Sequence, residues 1–193
     1  MRYRNMVLGN FLVGSLLILL AGVGSPAQTN DRMTIQATAM GTSTQLGRTA
    51  DVTIIIQQLS TDDDQKSLIA AFKSKGQNGL VDVLEDMKPK GRIRFSSGGV
   101  GNDIKYIKEL PSDKGRRFRL VTDRNLAFGE LYQSTRSKDY NVGAIELTIT
   151  PDGKGEGRVL PACRITVKKK TKQIEIETYQ NPWNLTNFRV SKD

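Results

Sequence analysis

Four arginines at alternating positions are the residues whose type and spacing point most directly to chemistry: Arg92 and Arg94 around Ile93, and Arg117 and Arg119 around Phe118. Side chains of an extended chain alternate between two faces, so each pair projects from one side of a strand while Ile93 and Phe118 point to the other. A guanidinium is always charged and meets a carboxylate or phosphate with two parallel hydrogen bonds. If the two strands are neighbours, Arg92, Arg94, Arg117 and Arg119 form a positive stripe suited to anion contact. Lys114 and Arg116 extend the second pair, and Lys168, Lys169, Lys170 and Lys172 form another cluster, partly offset by Glu109, Glu175 and Glu177. Gripping single-stranded nucleic acid also needs exposed aromatic rings. Phe118 falls on the inward face, so no specific nucleic-acid signal is present.

Catalytic chemistry finds little footing. The chain has no histidine, which removes histidine-activated nucleophiles, histidine zinc sites and the usual neutral-pH general base. Cys163, the single cysteine, reads as a small half-buried residue at a strand start, because activating a thiol requires a base. Asp123, Glu130, Asp139 and Glu146 lie in or beside the least regular stretch, and Asp123 with Glu130 or Asp139 is the only pairing that suggests an acid–base couple. Ser96-Ser97-Gly98-Gly99-Val100-Gly101-Asn102-Asp103 is rich in bare backbone N–H groups but joins two strands, whereas a phosphate loop opens a helix. Asp62, Asp63 and Asp64 point about 100° apart around a helix, so they compensate its dipole rather than converge on a metal. Asp152-Gly153-Lys154-Gly155-Glu156 carries a lysine where a calcium loop needs an oxygen ligand. No catalytic residue, metal ligand or cofactor is assigned.

The elements that must position these residues are mostly strands. Met33–Ala39 alternates, and Asp51–Leu59 carries Val52, Ile54 and Ile56 on one face with Ile55 on the other, which asks for cover on both sides. Thr61 caps a helix with the stripe Leu68, Ile69 and Phe72, and Gly76 stops it. A second helix follows, with Leu80, Val83, Leu84 and Met87, closed by Pro89. The helix pair is expected to cover the second face of the Asp51–Leu59 strand. Strands then recur at 92–95, 104–110, 117–120 and 144–150, with an irregular piece at 125–140. A glycine-rich turn at 151–157 joins a hairpin to Arg158–Val167. Gln173–Tyr179 pairs next, placing Arg164 and Lys168 near Glu175 and Glu177, and a last strand runs near Leu185–Val190. The sum is α+β: a mostly antiparallel β-sandwich or open barrel of about eight strands, with a helix pair inserted after the second strand.

The amino-terminal segment has its own plan. Arg2 and Arg4 precede an apolar run, Phe11–Ala21, followed by Gly22-Val23-Gly24-Ser25-Pro26-Ala27. That order of charge, apolar stretch and small residues is a secretory signal, with Ser25 and Ala27 at the two small-residue positions. The run is interrupted by Asn10, Gly14 and Ser15 and falls short of the roughly 20 apolar residues of a spanning helix. Residues 1–27 are therefore expected to be a signal peptide, and 28–193 a single β-rich domain with no transmembrane segment. The product would be periplasmic or extracellular. Without Arg2 and Arg4 the formal charge falls from +9 to +7, still favouring anionic partners.

The run Asp51–Ile56, the helical stretch after it, Thr122-Asp123-Arg124, Ile145-Glu146-Leu147, Gly153-Lys154-Gly155-Glu156-Gly157 and the ending Tyr179–Arg189 together resemble a group of exported bacterial proteins to which no activity is assigned. The resemblance implies a shared fold and export, with no cofactor or site. The reading adopted is a non-enzymatic exported binding or structural protein of the cell envelope that contacts anionic envelope components through a basic sheet face. A carrier of a small apolar ligand or lipid in an internal cavity, and a carboxylate-dependent hydrolase of envelope polymer, are the alternatives.

Overall fold

The protein was analysed as a computed structural model, which describes residues 32–96, 99–126, 140–167, 174–178 and 181–192. Its described strands are β1 (Met33–Met40), β2 (Thr49–Ile56), β3 (Gly91–Phe95), β4 (Asn102–Leu110), β5 (Arg116–Thr122), β6 (Val142–Ile149), β7 (Gly155–Val167), β8 (Ile174–Thr178) and β9 (Trp183–Lys192). Every pairing is antiparallel. Consecutive strands pair from β1 through β7, β7 pairs β9, and β9 returns to β1, so eight strands close a barrel and β8 is extra. Cys163 is opposite Val142 on one side and Thr178 on the other, and Val159 is opposite Ile145 and Trp183. β8 and β9 therefore follow one another along a single edge of β7. Between the expected sandwich and open barrel, the chain adopts a barrel, and the β9–β1 pairing is what removes its free edges.

Alternation explains which residues enter. Met33, Ile35, Ala37 and Ala39 of β1, Ile54 of β2, Ile93 of β3, Phe118 and Leu120 of β5, Ile145 and Leu147 of β6, and Leu185 of β9 belong to one buried cluster. An eight-stranded barrel is just wide enough for such side chains to fill, and each fully buried Leu, Ile or Phe contributes roughly 1.5–3 kcal/mol. β7 contributes little bulk at its start. A Cβ on Gly155 would lie 2.5 Å from the Phe188 ring, so glycine there makes room for that aromatic.

Between β2 and β3 the expected helix pair is replaced by one helical element, α1 (Asp62–Asp86), with a single non-helical residue at Gly76 (φ 64°, ψ −145°). That left-handed φ suits glycine, and the two arms turn toward each other there. A Cβ on Gly79 would lie 2.7 Å from the Ala71 carbonyl oxygen, a contact that eight residues of straight helix would hold about 12 Å apart. Thr61 and Asp64 form the capping box: the Thr61 N–H donates to Asp64 Oδ2 at 2.7 Å, and the Asp64 N–H donates to Thr61 Oγ1 at 3.1 Å. The cover expected over β2 lies elsewhere. Leu68, Leu80 and Leu84 pack with Tyr106, Val121, Val142, Ala144, Leu160, Cys163 and Ile165, so α1 lies across the outer wall of β4 to β7 and Ile55 stays half-buried.

Both ends of α1 are fixed to β4. Lys108 Nζ donates to Asp62 Oδ1 at 2.8 Å, and Lys105 Nζ donates to the carbonyls of Glu85 and Met87 at 3.2 and 2.9 Å. The bend is held at β7, where the Ile165 N–H donates to Gln77 Oε1 at 3.0 Å. Among the described residues no helix is long and apolar enough to cross a membrane. The expected irregular piece at 125–140 lies mostly outside the described residues, as do residues 1–27 and the lysines at 168–172.

Candidate functional site

The outer wall of β4 to β7 is organised in rows by strand register. Tyr106, Val121, Ala144 and Leu160 are mutually opposed across β4, β5, β6 and β7, all buried, and this is the row that α1 covers. Two residues along each strand comes the row Lys108, Arg119, Glu146, Arg158, ending on Asn184 of β9. It lies outside the helix and is charged throughout its middle.

Glu146 is the centre of that row. Arg119 Nε and Nη2 donate to Glu146 Oε1 at 2.9 and 2.6 Å, and Arg158 Nε and Nη2 donate to Oε2 at 3.0 and 2.6 Å. Only 7% of Glu146 is exposed, so its charge depends on these four bonds. Burial works to raise its carboxyl, but the bonds from Arg158 and Arg119 outweigh it and hold the carboxyl below the usual range. The sequence nominated Arg119 as an anion-binding residue. Its guanidinium is instead committed to Glu146, and the carboxylate nominated as a possible acid is locked between two cations.

The other nominated arginines do not converge with it. Arg92 is opposite Asp103 of β4, its Nε 3.8 Å from Asp103 Oδ1, whereas Arg119 is opposite Lys108. Asp103 and Lys108 are five residues apart on β4, which places the two arginine pairs about 17 Å apart along the strand, with β4 lying between their strands. Arg94 is exposed and Arg117 half-exposed, and neither makes an ion pair among the described residues. The four arginines thus form two separate pairs rather than one stripe.

Arg117 lines a groove of about 650 Å³ on the wall formed by β5, β6, β7 and β9. The 111–114 connection forms one side and brings Lys114 to it, and Arg158, whose side chain is 52% exposed, lies in its floor with Asn184 and Thr186. Asp113 and Glu156 also line it. The sequence reading does not single out Arg158, because Pro151–Gly157 reads as the turn. The hairpin is tighter: Ile149 pairs Gly155, and that register puts Arg158 opposite Glu146. Counting outward from a turn centred on Asp152-Gly153 would have found it.

The remaining candidates are structural. Asp123 Oδ2 is 3.5 Å from Lys105 Nζ, a lysine only 7% exposed, while Glu130 and Asp139 lie outside the described residues. Asp62, Asp63 and Asp64 diverge to Lys108, Lys66 and Lys90 at 2.8, 2.8 and 3.2 Å. Among the described residues no group of three or more potential metal-ligating side chains converges. Cys163 is fully buried, its S–H donates to the Val142 carbonyl at 3.4 Å, and burial pushes its thiol up to about 12. A thiol so placed is a packing residue. The described barrel interior is occupied by side chains, and an apolar hollow of about 390 Å³ opens at the end of the barrel between Met33, Ile149 and Val190.

No protein-family model, no curated protein and no solved structure matches this chain.

Proposed function

We propose that this chain is an exported, non-enzymatic binding or structural protein of the cell envelope that takes an anionic ligand in the groove on the β5, β6, β7 and β9 wall. Export is supported by the charged, apolar and small-residue order of residues 2–27. The observation that carries the binding reading is the groove itself: Arg117 and Lys114 line it without an ion pair to a described carboxylate, and Arg158 is held in its floor by Glu146. Fixing Arg158 through Nε and one Nη2 leaves its other amino group for a ligand. Asp113 and Glu156 on the same walls favour spaced anionic groups on a polymer over a compact polyanion.

Retention on a dextran sulfate column at rising salt tests this. The full chain should bind at low salt and elute steeply as salt increases, and a Lys114→Glu, Arg117→Glu double variant should elute at much lower salt. Unchanged elution of that variant removes the groove. Amino-terminal sequencing of the natural product tests export separately, with Gln28 as the expected first residue.

The apolar hollow between Met33, Ile149 and Val190 supports a second reading, a small apolar-ligand carrier. Native mass spectrometry of protein purified from its own cells would then show bound lipid-like mass, and its absence would end that reading.

A further inference from the structure

The large hydrophobic side chains most exposed among the described residues are Met40, Leu46 and Val100, at 45%, 82% and 75%. Apolar residues exposed singly are ordinary, but these three gather at one end of the barrel. Met40 ends β1, Leu46 lies in the connection from β1 to β2, and Val100 lies in the connection from β3 to β4. The two connections are neighbours, since β2 and β3 pair and the Ser96 N–H donates to the Asp51 carbonyl at 2.9 Å.

Charge in these two connections has one sign. Residues 41–48 and 96–101 contain no carboxylate, and Arg48 and Arg94 are both exposed beside the apolar tips. A Cβ on Gly101 would lie 2.7 Å from Arg94 Cγ, so the Arg94 stem runs along the connection that carries Val100. Of the nearest carboxylates, Asp103 is 3.8 Å from Arg92 and Asp123 is 3.5 Å from Lys105, while Asp51 is exposed three residues into β2. The opposite end mixes signs, with Asp113 and Lys114 on one connection and Asp152 and Lys154 on the other.

We propose that this end rests on the surface of an anionic phospholipid bilayer, with Leu46 and Val100 entering the headgroup region and Arg48 and Arg94 meeting lipid phosphates. Apolar tips ringed by arginine match an interface that is apolar below and negative above. Both tips stand on hairpin connections and are exposed, a placement that enters lipid without needing a complementary groove. This surface is separate from the groove of Arg117 and Lys114, so either can fail alone.

Tryptophan placed in the full chain tests it locally. Trp183 is 4% exposed and already buried, so its emission is insensitive to lipid. The Leu46→Trp protein should shift to the blue, and be quenched by bromine-labelled acyl chains, on vesicles containing phosphatidylglycerol, but not on phosphatidylcholine alone. The Lys154→Trp protein, altered at the opposite end, should show neither change. Because both proteins keep residues 1–31, any membrane affinity of that segment is common to them. Arg48→Ala with Arg94→Ala should weaken vesicle binding of the Leu46→Trp protein roughly 25-fold, two charges at about fivefold each. Equal quenching at both positions, or none at Leu46→Trp, overturns the proposal. So does quenching that is independent of phosphatidylglycerol, or unaffected by loss of the two arginines.

Discussion

Two adjacent rows on the outer wall of the barrel differ in everything but their backbone. The row Tyr106, Val121, Ala144 and Leu160 is apolar and covered by α1, while the row Lys108, Arg119, Glu146 and Arg158, two residues further along each strand, is charged and lies outside the helix. The strands are the same and so is the sheet. What separates the rows is that the first could be dried only by an apolar helix face, whereas the second satisfies itself: four N–H bonds neutralise one buried carboxylate without any cover. The covered row makes a second core. The open row makes a rigid polar surface, which is where a ligand can reach the protein.

The strongest way to break this contrast is to empty the covered row. Leu84→Ala removes a fully buried side chain from the helix interface and should destabilise the fold by about 3–4 kcal/mol in urea unfolding, comparable with Leu120→Ala in the barrel interior. A loss below about 1 kcal/mol would mean that α1 is only loosely attached.

The open row is tested at its centre. Glu146→Gln leaves two guanidinium groups facing each other without a counter-charge, and should cost roughly 3 kcal/mol, reduced from the fully buried case because Arg158 is half exposed. The same residue sets an acid dependence. Its carboxyl is held below the ordinary value of 4.5, so its contribution is fully present above that value and is lost as pH falls through the lower, folded value. Asp62 and Asp64 are lowered too, and Asp152 is held at about 2. Unfolding followed from pH 6 downward should therefore show stability falling below about pH 4.5, with a shallower fall in Glu146→Gln. Identical acid profiles for the two proteins would show that folding does not lower the Glu146 carboxyl.

The smallest change probes how the cover is shaped. Gly76→Ala puts a side chain where φ is 64° and ψ is −145°, a combination close to glycine-only backbone, and should cost about 2 kcal/mol. Open space surrounds that position, so the loss reports the bend and not a clash. No measurable loss would mean that the two arms do not depend on the left-handed residue.

Much of the architecture was legible because strand alternation is local. The inward sets around Ile54, Ile93, Phe118 and Leu147 follow from period-two patterning, and Thr61 with Asp64 reads directly as a helix start. Legibility ended where two distant segments had to be matched. Arg119 looks free in sequence because Glu146 is 27 residues away and meets it only through the β5–β6 register. The helix face was recognisable but its target was not, since apolar periodicity says that a face must be buried and nothing about what buries it.

By itself the sequence determined the strand-dominated interior, the charge balance, the absence of histidine chemistry and the glycine that breaks the helical stretch, because each depends on residue type and short spacing. Only the tertiary structure decided that the strands close through β9 onto β1, that α1 covers β4 to β7, and that the nominated arginines divide between a clamp, a groove and a barrel end. Those outcomes are set by pairing register between segments far apart in the chain, and register is fixed by the whole sheet rather than by any one strand.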